Sequence, residues 1–198
     1  GINIVTAPVL DIKKNNSHPI IGDRSFSNDP NIVVKMGNLC IKLFKKYKIG
    51  TVIKHIPGHG SAKTDSHYFT PSIYDSKKNL NLNDFRPFKR CFSPFAMTAH
   101  AIYKSYDPDN VCTQSKIIIK DVIRKQINFK GLLISDDISM KALKFGLKEN
   151  AIKALDAGCN LILHCNGNMK EMNKLAKVVP KVSKFTQKKT EQFNKFLG

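Results

Sequence analysis

The sequence contains no apolar run long enough to cross a membrane. Its longest apolar stretches have the length of strands, whereas a transmembrane helix needs about 18 or more apolar residues. The first residues, GINIVTAPVLDI, include no basic segment and no small-residue cleavage site after a long apolar run, which argues against a secretory signal. We therefore expect a soluble, cytoplasmic chain without a membrane partner. Its 198 residues are enough for one well-buried core.

Arginine is scarce, although the chain is strongly basic. The formal net charge is +18, but only four of the 33 basic residues are arginine. Arginine is the side chain best suited to bind phosphates and base edges, and the lysines are spread along the chain with never more than two in a row. This pattern favours a general excess of lysine, typical of an A+T-rich genome, over a nucleic-acid site. A basic nucleic-acid-binding protein remains the alternative from another functional class.

The cysteines form no CxxC pair and are odd in number, so they do not indicate a disulfide framework. We expect reduced thiols in the core, with Cys159 and Cys165 on one face of an apolar strand. The glycine patterns of nucleotide-binding loops, G-x-G-x-x-G and G-x-x-x-x-G-K-[ST], are absent as well. This absence disfavours a nucleotide-binding sheet.

Five apolar runs rich in β-branched residues alternate with stretches of helical period. The runs are NIVTAPVL from Asn3, TVIKHI from Thr51, FAMTAHAI from Phe95, GLLISDDI from Gly131 and CNLILHC from Cys159. Strands that read as nearly continuous apolar runs and alternate with helices indicate a parallel α/β sheet covered on both faces.

The clearest predicted helix follows Asp29, a favourable N-cap, and begins with Pro30. Gly50 marks its end. The residues predicted to face the core are Met36, Leu39, Cys40, Leu43, Phe44 and Tyr47.

Polar residues lie where the predicted strands end. These residues are Asp11, Lys54, His55, His100, Asp136, Asp137 and His164. Both a β/α barrel and a doubly wound sheet bind ligands at the carboxyl ends of their strands, and the absence of nucleotide motifs favours the barrel. A complete barrel needs about 250 residues and eight strands. We therefore predict a (β/α)8 TIM-barrel-like α/β fold without its N-terminal part, with about five or six βα units over residues 1–178 and a basic helical tail over residues 179–198.

The segment KHIPGHGSAKTDSHYFTP, residues 54–71, holds three histidines between glycines and prolines. The spacing of His55 and His59 would suit a metal on a helix, but the prolines and glycines forbid that helix. One interpretation is a flexible loop in which Asp65 orients His67 as a general acid and base. The other is a solvated surface loop with incidental histidines, and the spacing alone does not decide between them.

Two adjacent acids, Asp136 and Asp137, end the fourth run. Consecutive strand residues point to opposite faces, so only one of them can face a barrel mouth while the other caps or braces the next segment. Arg24, in the loop IGDRSFSNDP, could bind a carboxylate or sugar hydroxyls, or could form a loop salt bridge with Asp23 or Asp29.

Five motifs occur in a fixed order: APVLDI, IGDRSFSNDP, KHIPGHG followed by DSH, MTAHAIY, and LLISDDISMKAL. Together they resemble the family 3 glycoside hydrolases, and specifically the cytoplasmic β-N-acetylglucosaminidases of bacterial cell-wall recycling. One motif would not be specific, whereas five in order over residues 1–178 are.

The resemblance implies a retaining glycosidase on a β/α barrel that uses no metal and no cofactor. By motif match, Asp136 is the nucleophile, and His67 assisted by Asp65 is the acid and base. The glycines and prolines would allow the loop to swing His67 over the sugar, with His59 shaping the loop.

The resemblance also implies how the substrate is bound. Arg24, Lys54 and His55 match positions that bind sugar hydroxyls. The expected partner is a small-molecule sugar, a terminal β-linked N-acetylglucosamine on a muropeptide.

The sequence departs from the family pattern ahead of APVLDI, where members carry two further strands and a glycine-rich segment with an Asp that also holds the sugar. We expect either a fragment of a longer product or a decayed gene product with impaired catalysis. Phosphorylase activity stays an open alternative, because a site with a histidine as acid and base could admit phosphate as a reactant.

Overall fold

The computed structural model describes residues 1–14, 21–62 and 69–198 of the chain. Its main sheet has five parallel strands, and a small second sheet pairs two short parallel strands. The strands are β1 (Ile4–Val5), β2 (Gly50–Ile56), β3 (Ser72–Ile73), β4 (Phe95–Thr98), β5 (Ile102–Tyr103), β6 (Leu132–Asp137) and β7 (Leu161–Leu163). The main sheet has the order β1-β2-β4-β6-β7, and β3 pairs with β5.

The strand order distinguishes a barrel from a doubly wound sheet. Each strand of the main sheet lies beside the one that precedes it in the chain, and every pair is parallel. A doubly wound sheet would reverse its direction of growth near the middle. The sheet is instead a curled half-barrel with β1 and β7 at its edges, as the sequence predicts.

Helices connect the strands. They are α1 (Pro30–Lys46), α2 (Lys77–Leu82), α3 (Arg86–Arg90), a π-helix (Ile118–Gln126), α4 (Leu147–Ala157), α5 (Met169–Ala176) and α6 (Lys184–Leu197). The predicted start of α1 is confirmed, because the Asp29 carboxylate accepts a hydrogen bond of 2.7 Å from the N–H of Asn31. In the described part of the chain, no helix has both the length and the apolar character to cross a membrane.

The predicted inward face of α1 is wrong for Met36, Leu39, Leu43 and Tyr47, which are exposed, whereas Cys40 and Phe44 are half-buried. Val33 and Gly37 are the buried residues of this helix, whereas Leu43 and Tyr47 are 52% and 70% exposed. A Cβ on Gly37 would come within 3.1 Å of the Cys91 sulfur, so the helix can approach the core closely only at a residue without a side chain. The sequence prediction counted large apolar residues and therefore selected the wrong face of the helix.

The two faces of the sheet have different neighbours. Ile53, Ala96 and Leu133 pack outward against the helices, in the largest apolar cluster. Val52 and Leu132 belong to a separate cluster on the inner face, which α6 covers. The alternation of strand residues then places Lys54, Asp136 and Cys165 on the inner side, beyond these apolar positions. This side is where a barrel holds its ligand.

The C-terminal helix α6 packs against the inner face at the amino ends of the strands. The ring of Phe193 lies edge-on to that of Phe95, with 4.9 Å between the ring centroids. Phe193 is also the residue that a Cβ on Gly50 would meet first. α6 is therefore part of the packed structure, and Phe193 contacts the amino ends of β2 and β4.

The start of the loop after β2 is packed against the rest of the chain. Residues 56–62 are buried, and the Tyr103 hydroxyl donates a 2.7 Å hydrogen bond to the carbonyl of Gly58. A Cβ on Gly60 would meet the backbone of Ile12. The alternative of a solvated surface loop is therefore wrong for these residues, whose glycines allow close backbone approach. The flexibility of the loop stays a prediction. Asp65 and His67 lie outside the described residues.

All five cysteines are free thiols, but they are not all in the core. Cys91, Cys112 and Cys159 are buried, and burial raises the pKa of Cys91 and of Cys159 to about 12. Cys40 is half-buried, while Cys165 is exposed at the end of β7. The prediction of a core thiol is therefore wrong for Cys165.

Candidate active site

Polar side chains from neighbouring strands converge at the open end of the half-barrel. Asp136 is the second-last residue of β6 and has a side chain that is 19% exposed, and His55 lies opposite it on β2. The distance from His55 Nε2 to Asp136 Oδ2 is 3.8 Å. On its other side, His55 contacts Asp11, which follows β1. Residues distant in sequence thus form one small charged cluster.

An irregularity in β2 brings two consecutive residues to this cluster. Lys54 pairs with Met97 and Ile56 pairs with Thr98, so the register shifts by one residue around His55. In a regular strand Lys54 and His55 would point to opposite faces. The bulge re-aims the strand so that both lie near Asp136.

The surroundings of Asp136 keep it ionised. Burial acts to raise the pKa of this carboxyl, but its electrostatic interactions with the His55 and His100 imidazoles and a 2.9 Å hydrogen bond from the N–H of Asp137 outweigh burial. The pKa of Asp136 therefore lies below its ordinary value. An ionised carboxylate with part of its surface exposed toward the open end of the half-barrel can act as a nucleophile.

Lys54 has a lowered pKa. Burial is the main cause, the charge of Arg24 adds to it, and the charges of Asp136 and Asp11 oppose it. These interactions indicate that Arg24, Asp136 and Asp11 all lie near Lys54. Lys54 therefore brings positive charge beside the Asp136 carboxylate.

Arg24 ends a short 3₁₀ turn, Gly22–Arg24, and is exposed. The two aspartates considered as its alternative partners have other contacts. Asp23 forms an exposed ion pair with Lys13 at 3.7 Å, and Asp29 caps α1. The charge of Arg24 also acts on Lys54, so the two cations lie near each other.

Asp137 has a different role from its neighbour, as the alternation of strand residues predicts. Its carboxylate accepts hydrogen bonds from the backbone N–H of Ser139 at 3.0 Å and from the Ser139 hydroxyl at 2.8 Å. It also accepts a longer bond of 3.4 Å from the N–H of Cys165. Asp137 therefore braces the turn after β6 and the end of β7, while Asp136 faces the charged cluster.

Asp11 is a component of the site that motif reasoning did not select. Its side chain is fully buried, and it contacts His55 Nδ1 at 2.7 Å. The backbone N–H groups of His55 and His59 also donate to it, at 3.1 Å and 2.6 Å. The sequence signals for Asp11 were its position at the end of the first predicted strand and its place in the motif APVLDI.

His100 is the second component that sequence reasoning left without a role. Its Nε2 is 3.0 Å from the carbonyl oxygen of Asp137, which can only accept, so this nitrogen carries a proton. Burial lowers the pKa of His100, and the neutral ring then accepts at Nδ1 from the Thr113 hydroxyl at 2.7 Å. His100 thereby fixes the backbone that carries Asp136.

His59 is buried beside the site, and neither of its ring nitrogens has a hydrogen-bond partner among the residues that the structure describes. Its ring is edge-on to that of His55, with 5.9 Å between the centroids. Burial lowers the pKa of His59 from 6.5 to about 4, although the charges of Asp11 and Asp136 oppose this and that of His55 assists it. His59 is therefore neutral at neutral pH.

We expect His59→Leu to reduce the acid sensitivity of the fold. In the wild type, His59 binds a proton near pH 6.5 when the chain is unfolded but only near pH 4 when it is folded. The contribution of His59 to the free energy of unfolding is therefore fully present above pH 6.5 and is lost as the pH falls. This loss is about 2 kcal/mol between pH 7 and pH 5. Urea unfolding at both pH values should show that the free energy of unfolding changes less between pH 7 and pH 5 in His59→Leu than in the wild type, by the amount that His59 contributes.

Leu80→Ala is the matched control for this measurement. Leu80 is fully buried in the main apolar cluster and carries no titratable group. Its replacement should lower the free energy of unfolding by the same amount at pH 7 and pH 5. A pH dependence in His59→Leu equal to that of the wild type would contradict the expectation.

His164 does not join the site, although it ends the fifth predicted strand. Its Nε2 lies 2.7 Å from a carboxylate oxygen of Glu171 in α5, and its side chain is only 7% exposed. The next residue, Cys165, is the one that lies near Asp136 and Lys54. The alternation along β7 turns His164 toward α5.

Among the residues that the structure describes, no group of three or more His, Cys, Asp or Glu side chains is arranged to hold a metal ion. The chemistry available from the cluster is that of an ionised carboxylate, an imidazole and a lysine. These groups can attack an electrophilic carbon and bind hydroxyl groups.

The chain matches a known family over almost its whole length. The model of the glycosyl hydrolase family 3 N-terminal domain matches residues 1–195. A β-hexosaminidase of Photobacterium profundum is 37% identical over 171 residues, which cover 83% of this chain and 50% of that protein. The chain thus spans about half the length of the curated relatives it matches.

Solved structures give the same result. A family 3 β-N-acetylglucosaminidase from a Paenibacillus strain superposes with a TM-score of 0.86 at 27% identity, over 98% of this chain and 39% of the other. NagZ from Neisseria gonorrhoeae, in complex with N-trifluoroacetyl-D-glucosamine, gives a TM-score of 0.85 at 29% identity, over 98% and 56%. The fold, the ordered motifs and the family match agree. This chain belongs to glycosyl hydrolase family 3 and carries the family's N-terminal domain.

Proposed function

We propose that the chain carries the catalytic face of a retaining β-N-acetylglucosaminidase. The observation that supports this most strongly is Asp136, a partly exposed carboxylate kept ionised at the open end of a half-barrel. The printed names of its relatives, β-hexosaminidase and β-N-acetylglucosaminidase, support the same reaction class.

In the proposed reaction Asp136 attacks the anomeric carbon of the sugar while the glycosidic bond to the leaving group breaks. His67, assisted by Asp65, donates a proton to the departing oxygen. The imidazole then removes a proton from water, which attacks the anomeric carbon and releases Asp136. Two displacements give net retention of configuration. Asp65 and His67 lie outside the described residues, so their roles rest on the motif alone.

A histidine suits the acid and base role without deep burial. Its ordinary pKa of about 6.5 lies near working pH, and a neighbouring carboxylate favours the charged form. A carboxylic acid in this role would need a raised pKa. The DSH motif of this chain therefore supports the proposed division of labour.

Lys54, His55 and Arg24 are the proposed sugar-binding residues. Lysine and arginine supply only donors, and the ring nitrogen of His55 that does not contact Asp11 can form a hydrogen bond with a hydroxyl. The proximity of Lys54 and His55 to Asp136 supports this assignment, because a sugar held there lies against the nucleophile. The proposed substrate is a terminal β-linked N-acetylglucosamine of peptidoglycan fragments, met in the cytoplasm.

The test is hydrolysis of 4-nitrophenyl N-acetyl-β-D-glucosaminide by this chain, with the β-D-glucoside as the comparison substrate. We expect release from the first and at least about 100-fold slower release from the second, because a site built to bind the acetamido group loses that contact with the glucoside. NMR of the first product should show the β-anomer. A folded chain that releases no nitrophenol would count against activity of this chain by itself.

Inorganic phosphate distinguishes a hydrolase from a phosphorylase. A hydrolase releases free N-acetylglucosamine whether or not phosphate is present. A phosphorylase would form N-acetylglucosamine 1-phosphate in proportion to the phosphate added. We expect the free sugar, and the sugar phosphate as main product would overturn the hydrolase assignment.

A further inference from the structure

Asp11 is a buried carboxylate whose hydrogen-bond donors come from β2 and the loop after it. The N–H and the ring Nδ1 of His55 donate to it, and so does the N–H of His59. These contacts satisfy both of its oxygens. Because burial of an unpartnered carboxylate is costly, this arrangement fixes Asp11 and its partners relative to each other.

The contact with Asp11 determines that Nδ1 of the His55 ring carries a proton. An ionised carboxylate can only accept hydrogen bonds, so the 2.7 Å contact requires a proton on His55 Nδ1. The other ring nitrogen, Nε2, then faces Asp136 Oδ2 at 3.8 Å, which is too long for a direct hydrogen bond. Nε2 is therefore available to a ligand hydroxyl held beside the carboxylate.

We propose that Asp11 is a positioning residue of the site: it holds His55 as the Nδ1–H tautomer and aims Nε2 at the sugar beside Asp136. The inference deepens the proposed function, on which its reference to a sugar rests. The orientation of His55 itself follows from contacts within the chain. A residue that sets the tautomer of a neighbouring imidazole can control the rate without touching the substrate.

Asp84 provides a matched comparison in the same region. Its side chain is also fully buried, and its backbone lies against Gly58 in the loop after β2. Its carboxylate accepts from Ser61 at 3.0 Å and from Lys14 at 2.8 Å. These contacts anchor the loop, whereas those of Asp11 reach the imidazole of His55. Asp11→Asn and Asp84→Asn therefore remove equivalent buried charges with different consequences for His55.

The first measurement is the tautomer of His55 in the wild-type chain, read from the ¹⁵N chemical shifts and long-range couplings of the ring. We expect the Nδ1–H form. In Asp11→Asn the new amide group can donate to Nδ1, so His55 should switch to the Nε2–H form. Asp84→Asn should leave the Nδ1–H form unchanged. An Nε2–H wild type, or no switch in a folded Asp11→Asn, would overturn the proposal.

The second measurement is turnover of 4-nitrophenyl N-acetyl-β-D-glucosaminide by the same variants. Asp11→Asn should lose at least about 100-fold in kcat/KM, because the wrong tautomer faces the sugar. Asp84→Asn should lose less than about 10-fold. Equal losses in the two variants would reduce Asp11 to a structural role and overturn the proposal. If the wild type itself shows no turnover, the proposed function fails, and the tautomer measurement still decides the role of Asp11.

Discussion

Replacing Asp136 with Asn is expected to lower kcat on 4-nitrophenyl N-acetyl-β-D-glucosaminide by at least about 10⁴-fold, because the amide cannot form the glycosyl-enzyme. The loss corresponds to more than about 5 kcal/mol of transition-state stabilisation. Steady-state kinetics with both proteins at equal concentration, and matching far-UV circular dichroism, check the prediction. Asp136 is the residue in the described part of the site for which we expect the largest catalytic effect.

Asp137→Asn is the control for this experiment, because it changes the adjacent carboxylate. Its partners are Ser139 and the backbone of Cys165, and the amide oxygen can still accept one of these bonds. We expect a loss of about 1 kcal/mol in stability and less than about 10-fold in kcat. Equal loss of activity in the two variants would contradict the assignment of the nucleophile to Asp136.

A small external nucleophile tests the same assignment by rescue. Asp136→Gly leaves a space at the anomeric carbon that azide can enter. With an activated substrate, a single displacement by azide should give the α-glycosyl azide, and nitrophenol release should rise with azide concentration. Rescue without that product would mean that azide acts elsewhere.

Replacing Gly58 with Ala is expected to have the largest effect on stability. Gly58 has a φ of +138°, and a Cβ there would come within 2.5 Å of the carbonyl oxygen of Asp84. Backbone strain and the clash together should cost about 3 to 5 kcal/mol. Thermal unfolding should show a Tm lower by roughly 10 °C.

Gly146→Ala is the matched control for the glycine experiment. Gly146 precedes α4 with a φ of −66°, and a Cβ there meets no atom within 4 Å. Its replacement should change the free energy of unfolding by less than about 1 kcal/mol. If Gly58→Ala proved as stable as Gly146→Ala, the close packing of the loop against Asp84 would be wrong.

The sequence predicts the fold class well because its signals are local. Near-continuous apolar runs mark strands that are buried on both faces, and the N-cap of α1 depends on Asp29 and its immediate neighbours. The order of the strands in the sheet confirms the barrel-type arrangement. The inward face of α1 was mispredicted because Gly37, which has no side chain to count, makes the closest approach.

The sequence also placed the polar residues at the carboxyl ends of the strands, and the alternation of side chains separated Asp136 from Asp137. It could not tell a solvated loop from a packed one at residues 57–62, because glycine is common in both. The packing of Gly58 on Asp84 and of Gly60 on Ile12 shows which applies there.

By itself, then, the sequence determined the alternation of strands and helices, the polar strand ends and the family motifs, all of which depend on neighbours along the chain. Only the tertiary structure decided that Asp11 holds His55, 44 positions away, and that His100 holds the backbone of Asp137. It also decided that a bulge turns Lys54 and His55 to the same carboxylate. These relations depend on distances of a few ångströms between separate strands, which no local pattern specifies.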